Sequence, residues 1–286
     1  KADGQCYVDV SFHLIIADAT DRVLGQELPA LVHDGYTSFK VFMTYEGLAL
    51  SDMEMLNVMS VARDTGALVM IHAENYDAIR FLTDRLERAG KTQPYHHATS
   101  RPIPVEREAT HRAIVLSQVA GNVPLYIVHM SAGDALNEIA AARHHGRNVF
   151  AETCPQYLWL TLEETLGLPG FEGAKWVCST PVRSRDHDPH YIGQMGHGHQ
   201  GDLWKGLRMN ELAIVSTDHC PFCMKDQKEL GRGNFAAIPN GIGGVEHRME
   251  LLYQGVVKGE LTLERWVETC CTTPARMFGM YPKKGV

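Results

Sequence analysis

The chain has 286 residues, enough to bury a sizeable core, and α/β barrels of this length form one domain. Asp and Glu outnumber Lys and Arg by 34 to 27, giving a net charge of −7, and no basic run interleaves with aromatic residues; nucleic acid is excluded as an expected partner. Apolar runs such as "LIIA" and "LYIV" are far shorter than the roughly 20 residues that span a bilayer, and no signal-peptide pattern is seen, so the expectation is a cytoplasmic protein without membrane contact.

Short, β-branched-rich runs recur along the chain: "YVDVSFHLII" (7–16), "SFKVFM" (38–43), "ALVMIHA" (67–73), "LYIVHM" (125–130), "NVFAETC" (148–154), "KWVCST" (175–180) and "LAIVSTD" (212–218). Segments with helical periodicity lie between them. "SDMEMLNVMSVARDTG" opens with Ser51 as a cap, carries Glu54 three residues on and closes at Gly66. "SAGDALNEIAAARHHG", Ser131 to Gly146, has the same start and stop chemistry. The Gly- and His-rich stretch 183–202 predicts an exposed loop. Strand and helix alternating in this way predict βαβ units, a parallel sheet buried on both faces, and closure into a barrel.

The seven cysteines are odd in number and scattered, which suits reduced thiols better than a disulfide framework. "CPFC", Cys220 to Cys223, has the spacing of a redox pair or of half a zinc site, but no second pair stands at zinc-ribbon spacing.

Four of the strand runs are expected to end on a metal ligand or base: Lys40, His72, His129 and Asp218. Each has a bland reading by itself. Lys40 can pack its stem and send its ammonium to water, a strand-end histidine can be a satisfied structural residue, and an aspartate can cap a turn. Together they sit about one, two and three βα units apart, at roughly 30 residues per unit, and in a barrel such positions converge on one mouth. Imidazole and carboxylate suit zinc or a similar divalent ion with an open position for water. A lysine beside a metal makes sense when neutral, and a neutral amine can add carbon dioxide to become a carbamate, an anionic ligand able to bridge two metals.

The stretches "SFKVFMTYEG", "IHAEN", "IVHMSAGDAL", "ETCPQYL", "STPVRSRD", "STDHCPF", "IPNGIGGVEHRMELLY" and "TTPARMFGMYPKKG" resemble the dihydropyrimidinase and hydantoinase branch of the cyclic amidohydrolases, over essentially the whole chain. The resemblance implies an α/β fold of the (β/α)8 TIM-like type, with residues 1–286 forming one catalytic barrel domain. It implies two divalent metal ions, zinc above all, bridged by an N6-carboxylated Lys40, with His72 and His129 on one metal and Asp218 on the other and in the role of proton shuttle. Tyr45 would donate to the substrate carbonyl, and Ser179 and Asn240 would hold the ring amide. The implied reaction is ring opening of dihydropyrimidines or 5-substituted hydantoins to N-carbamoyl amino acids, by a homotetramer. An allantoinase, a dihydroorotase or a non-catalytic interaction protein on the same fold remain alternatives; Gln156 in "CPQYL" favours the first reading over allantoinase.

The family pattern also has an H-x-H pair on a first barrel strand and flanking β-sandwich strands, neither of which is found in these residues. The expectation is an internal fragment of a longer enzyme, inactive by itself. "HGH", His197 to His199, follows a polar loop and is not expected to bind metal. The expected fragment lacks the first one or two barrel strands; seven runs plus two missing strands make nine, one too many for an eight-stranded barrel, and "KWVCST" is the expected surplus.

Overall fold

The computed structural model describes residues 4–185 and 198–285. Six strands form the sheet: β1 (Leu14–Ile15), β2 (Ser38–Phe42), β3 (Leu68–His72), β4 (Leu125–Ile127), β5 (Val149–Thr153) and β6 (Ile214–Val215). They pair in chain order, each parallel to the next. A doubly wound sheet reverses its order at a switch point, whereas a sheet that keeps winding one way is the arrangement from which barrels are built.

Side chains alternate between the two faces of a strand, so register assigns every strand residue to a face. Lys40, Met70, Tyr126 and Phe150 stand side by side across β2 to β5 on one face. There Met70 and Tyr126 join Leu68, Val128 and Ile214 in a small apolar cluster. The neighbouring row, Phe39, Val69, Leu125 and Val149, points the other way and belongs to the main core under the helices. Both faces are covered, which is why the runs are continuously apolar rather than alternating.

The helix Asp52–Thr65 forms as its sequence predicts. Ser51 Oγ accepts from Glu54 N at 3.3 Å, Glu54 Oε2 accepts from Ser51 N at 2.7 Å, and Gly66 ends the helix at φ 76°. It buries Met55, Val58, Met59 and Ala62, the i, i+3, i+4, i+7 stripe that faces a core.

Several expectations need correction. Only Leu14–Ile15 of the run 7–16 is strand, and Tyr7, Val8, Val10 and Phe12 are exposed. Helix Gly133–His144 has Ala132 at its N-cap without a side-chain bond, because Ser131 donates instead to Glu106. "KWVCST", by contrast, is the surplus run as expected and forms no strand: a 3-10 turn, Glu172–Trp176, occupies its start. In the expected loop 183–202, Arg183 and Ser184 are buried and Gly198–Arg208 is a helix; residues 186–197, with His197, lie outside the described residues. Among the described residues no helix is long and apolar enough to cross a membrane.

Candidate functional site

β3 ends on His72, buried on the face that carries Lys40. Beyond β4 the chain turns through a left-handed conformation at His129, φ 40°, which brings its ring back over the same strand ends. His72 Nδ1 and His129 Nε2 approach to 2.8 Å. On its other side His72 Nε2 stands 2.7 Å from Glu74 Oε2. A carboxylate there accepts the Nε2 proton and leaves Nδ1 as a lone pair turned toward His129, the support usual for a metal-binding imidazole.

Burial, then the charges of Lys40 and Arg101, hold the His72 pKa far below the ordinary histidine range, and burial followed by His72 does the same for His129. Both rings are therefore neutral and able to donate lone pairs. His129 Nδ1 is buried without a hydrogen-bond partner. The His129 backbone is fastened on two sides, its N–H donating to Glu152 Oε1 at 3.3 Å and its carbonyl accepting from Thr180 Oγ1 at 3.2 Å.

Lys40 lies in the middle of β2 rather than at its end, paired with Met70. Burial lowers its pKa to about 8, against the opposing pull of Glu152, Asp218 and Cys154. Asp218 stands three residues beyond β6 at φ 48°, exposed at the rim, and its charge favours the protonated forms of both Lys40 and His129. Four side chains from four strands thus share one electrostatic neighbourhood. Among the described residues no three His, Cys, Asp or Glu side chains come close enough to hold a metal by themselves, so the converging pair is His72 with His129.

Tyr45, at φ 76°, places its ring 5.1 Å from that of His72. Burial, then Glu74, pushes the phenol pKa up, so the hydroxyl keeps its proton for donation. Arg101 and the Ser179 side chain beside it pull the other way. Ser179 Oγ also lies 3.3 Å from His97 Nε2, and that nitrogen is 2.9 Å from the Cys178 carbonyl. Arg101 completes the connection, with Nε 3.7 Å from Glu74 Oε1 and Nη1 3.4 Å from His97 Nδ1. Asn240 joins through backbone: its neighbour Gly241 donates N–H to the Val177 carbonyl at 3.0 Å, while Asn240 Oδ1 is buried without a partner.

The sequence reading overlooked Glu74, His97, Arg101, Glu152 and Lys228. Glu74 and Glu152 sit inside "IHAEN" and "ETCPQYL", at the two-residue spacing that keeps a side chain on the ligand-bearing face of its strand. Lys228 carried no such signal. Cys220 and Cys223 are exposed free thiols. His199 is buried with Nδ1 accepting from Gly133 N at 3.0 Å, a structural bond.

The chain belongs to the amidohydrolase family, which it matches over residues 19–286. Its relatives carry the names D-hydantoinase and dihydropyrimidinase. It is 51% identical over 286 residues to the D-hydantoinase of Streptomyces coelicolor, covering 100% of this chain and 58% of that protein. It is 44% identical over 286 residues to the D-hydantoinase of Ralstonia pickettii, covering 99% of this chain and 59% of that protein. The crystal structure of dihydropyrimidinase from Brevibacillus agri NCHU1002 superposes with a TM-score of 0.91 at 44% identity, over 98% of this chain and 58% of that one. The chain therefore spans less than two thirds of the length of these relatives, and its fold is the amidohydrolase-type α/β fold with a parallel sheet. Membership of this family implies the use of divalent metal. The two neutral imidazoles whose nitrogens meet at 2.8 Å, one backed by a carboxylate and the other with an unpartnered buried nitrogen, suit such an ion in donor chemistry.

Proposed function

We propose that the protein hydrolyses the cyclic amide bond of 5-substituted hydantoins or dihydropyrimidines to N-carbamoyl amino acids. The observation that carries this reading is the neutral His72–His129 pair, braced by Glu74 and flanked by Tyr45. His72 and His129 would hold one divalent ion, most reasonably Zn2+, while Lys40, as its carbamate, and Asp218 would serve a second. When bound, the metal pair supplies Lewis-acid polarisation of the ring carbonyl and a water of lowered pKa.

The remaining work falls to side chains. Lys40 is suited to carbamate formation because its lowered pKa leaves about a tenth of the amine neutral at pH 7, a few hundredfold more than an ordinary lysine. Tyr45 donates its hydroxyl to the carbonyl oxygen and strengthens that bond as negative charge gathers there. Asp218, exposed at the rim, takes a proton from the attacking water and returns it to the leaving ring nitrogen as the C–N bond breaks. Ser179 and Asn240 hold the ring amide. The names of the relatives, D-hydantoinase and dihydropyrimidinase, support this substrate class. A homotetrameric, cytoplasmic enzyme built on one catalytic barrel is part of the same reading, and light scattering on the intact protein tests the tetramer.

The deciding experiment compares turnover of hydantoin, dihydrouracil, allantoin and dihydroorotate by the intact, metal-loaded protein. Ring opening of the first two is expected. Preference for either of the others would move the substrate assignment to an allantoinase or a dihydroorotase, and an intact protein that binds no metal and opens no ring would make it a non-catalytic relative.

A further inference from the structure

Lys228 begins a short 3-10 turn, Lys228–Gly231, and keeps 1% of its surface exposed. Among the described residues no carboxylate partners it. Its Nζ donates to three backbone carbonyls, Val177 O at 2.7 Å, Pro239 O at 2.7 Å and Gly241 O at 2.9 Å, which uses all three of its protons. Those carbonyls come from the two segments that the proposed function assigns to the ring amide. Val177 stands two residues before Ser179, and Pro239 and Gly241 flank Asn240.

A buried charge without a countercharge is a poor stabiliser, and an apolar side chain of the same size commonly serves stability as well or better. What an ammonium does, and a methionine cannot, is turn carbonyls toward itself. In a planar trans peptide C=O and N–H point in opposite directions, so drawing the Pro239 carbonyl onto Lys228 turns the Asn240 N–H away from it. The Gly241 N–H bond to Val177 then locks the two segments in one register. The fit is close: a Cβ on Gly241, whose φ is 147°, would collide with the Cys220 carbonyl.

We propose that Lys228 is a positioning residue that sets the backbone of the Ser179 and Asn240 segments for the ring amide. The role rests on the function proposed above. Among the described residues the titratable groups that face it are the Cys178 and Cys220 thiols and His97, and the Phe222 ring lies 5.5 Å from Nζ.

The test uses the intact protein carrying Lys228→Met, with Arg265→Met as comparator. Arg265 also donates from a buried position to backbone carbonyls, those of Leu207 and Leu212, away from the assigned segments. Steady-state kinetics on hydantoin and dihydrouracil, metal content, and amide hydrogen exchange are measured for each. Lys228→Met is expected to raise KM by about tenfold to a hundredfold, the loss of a charge-assisted hydrogen bond, with kcat falling less and bound metal unchanged. Exchange should accelerate at residues 178–180 and 240–242, and Arg265→Met should do neither. Should Lys228→Met fail to fold, Lys228→Arg is measured in the same way, with a smaller rise in KM expected. An unchanged KM in an active protein, or a joint loss of kcat and metal matched by Arg265→Met, overturns the proposal. If the wild type opens no ring, the activity reading fails instead, and exchange alone decides whether Lys228 ties the two segments.

Discussion

His72 and His129, 57 residues apart in the chain, meet nitrogen to nitrogen at 2.8 Å across adjacent strands. The contact needs the left-handed turn at His129 and the Glu152 bond to its backbone. Replacing either ring removes half of the converging donor pair. His129→Ala is therefore expected to lose at least about a hundredfold in metal affinity, read by competition with a chelating dye. Retention of full metal content at equal chelator would contradict this role.

Glu74 reaches the imidazole pair through the far side of His72 and not through its converging nitrogen, so its effect should be graded rather than complete. Glu74→Gln keeps the shape and removes the charge that fixes the His72 tautomer. We expect metal affinity to fall by about 10- to 100-fold, with the folded state retained. A variant that binds metal as tightly as the wild type would make Glu74 a purely structural residue.

Lys40→Ala should abolish ring opening, and small carboxylic acids added to the assay should restore part of it by supplying the missing bridging oxygens. Undiminished activity in Lys40→Ala without such acids would remove the carbamate from the account.

Arg183 and Glu106 form a buried pair at 2.7 Å, and the Glu106 carboxylate also receives the Ser131 N–H at 2.8 Å and the Ser131 hydroxyl at 2.6 Å. Arg183 donates further to the Arg101 carbonyl at 2.6 Å. Breaking such a pair leaves an uncompensated buried charge, so Arg183→Met should cost about 3–5 kcal/mol in urea denaturation. A double variant, Arg183→Met with Glu106→Gln, should recover part of that loss; a cost below about 1 kcal/mol for the single variant would show the charge to be solvated.

Lys228 gives stability a defined pH dependence. Burial lowers its folded-state pKa from 10.5 to about 8, so the unfolded chain binds more protons between those values. Its contribution is least favourable below pH 8 and improves as pH rises from about 8 to 10.5. Urea titrations of the wild type across this range should show a rising component that Lys228→Met lacks. Parallel pH profiles for the two proteins would refute the assignment.

Much of this site was legible in the sequence because the ligands ride on strands. His72 closes an apolar run, and His129 and Asp218 stand just past two others, so alternation and βα spacing bring them together without knowledge of any contact. The capping box at Ser51 was legible for the same reason: all its partners lie within one turn. What failed depended on distant partners. Ser131 has the sequence signature of a cap but is claimed by Glu106, 25 residues upstream. The helix Gly198–Arg208 begins in a Gly- and His-rich stretch whose composition predicts a loop, and burial of Leu203, Trp204 and Leu207 overrides it. Lys228 reads as an ordinary polar-face lysine, since its three acceptors are backbone carbonyls that carry no residue-type signal.

The central claim is that this site performs metal-dependent ring opening. Its most direct test is hydrolysis of hydantoin and dihydrouracil by the intact protein, with bound metal counted before chelation, after chelation and after return of Zn2+. The account predicts that N-carbamoyl product formation falls with the metal, returns with it, and stays absent on reloading when His72 and His129 are both replaced by alanine. Ring opening that persists in the metal-free protein, or in that double variant, would contradict it.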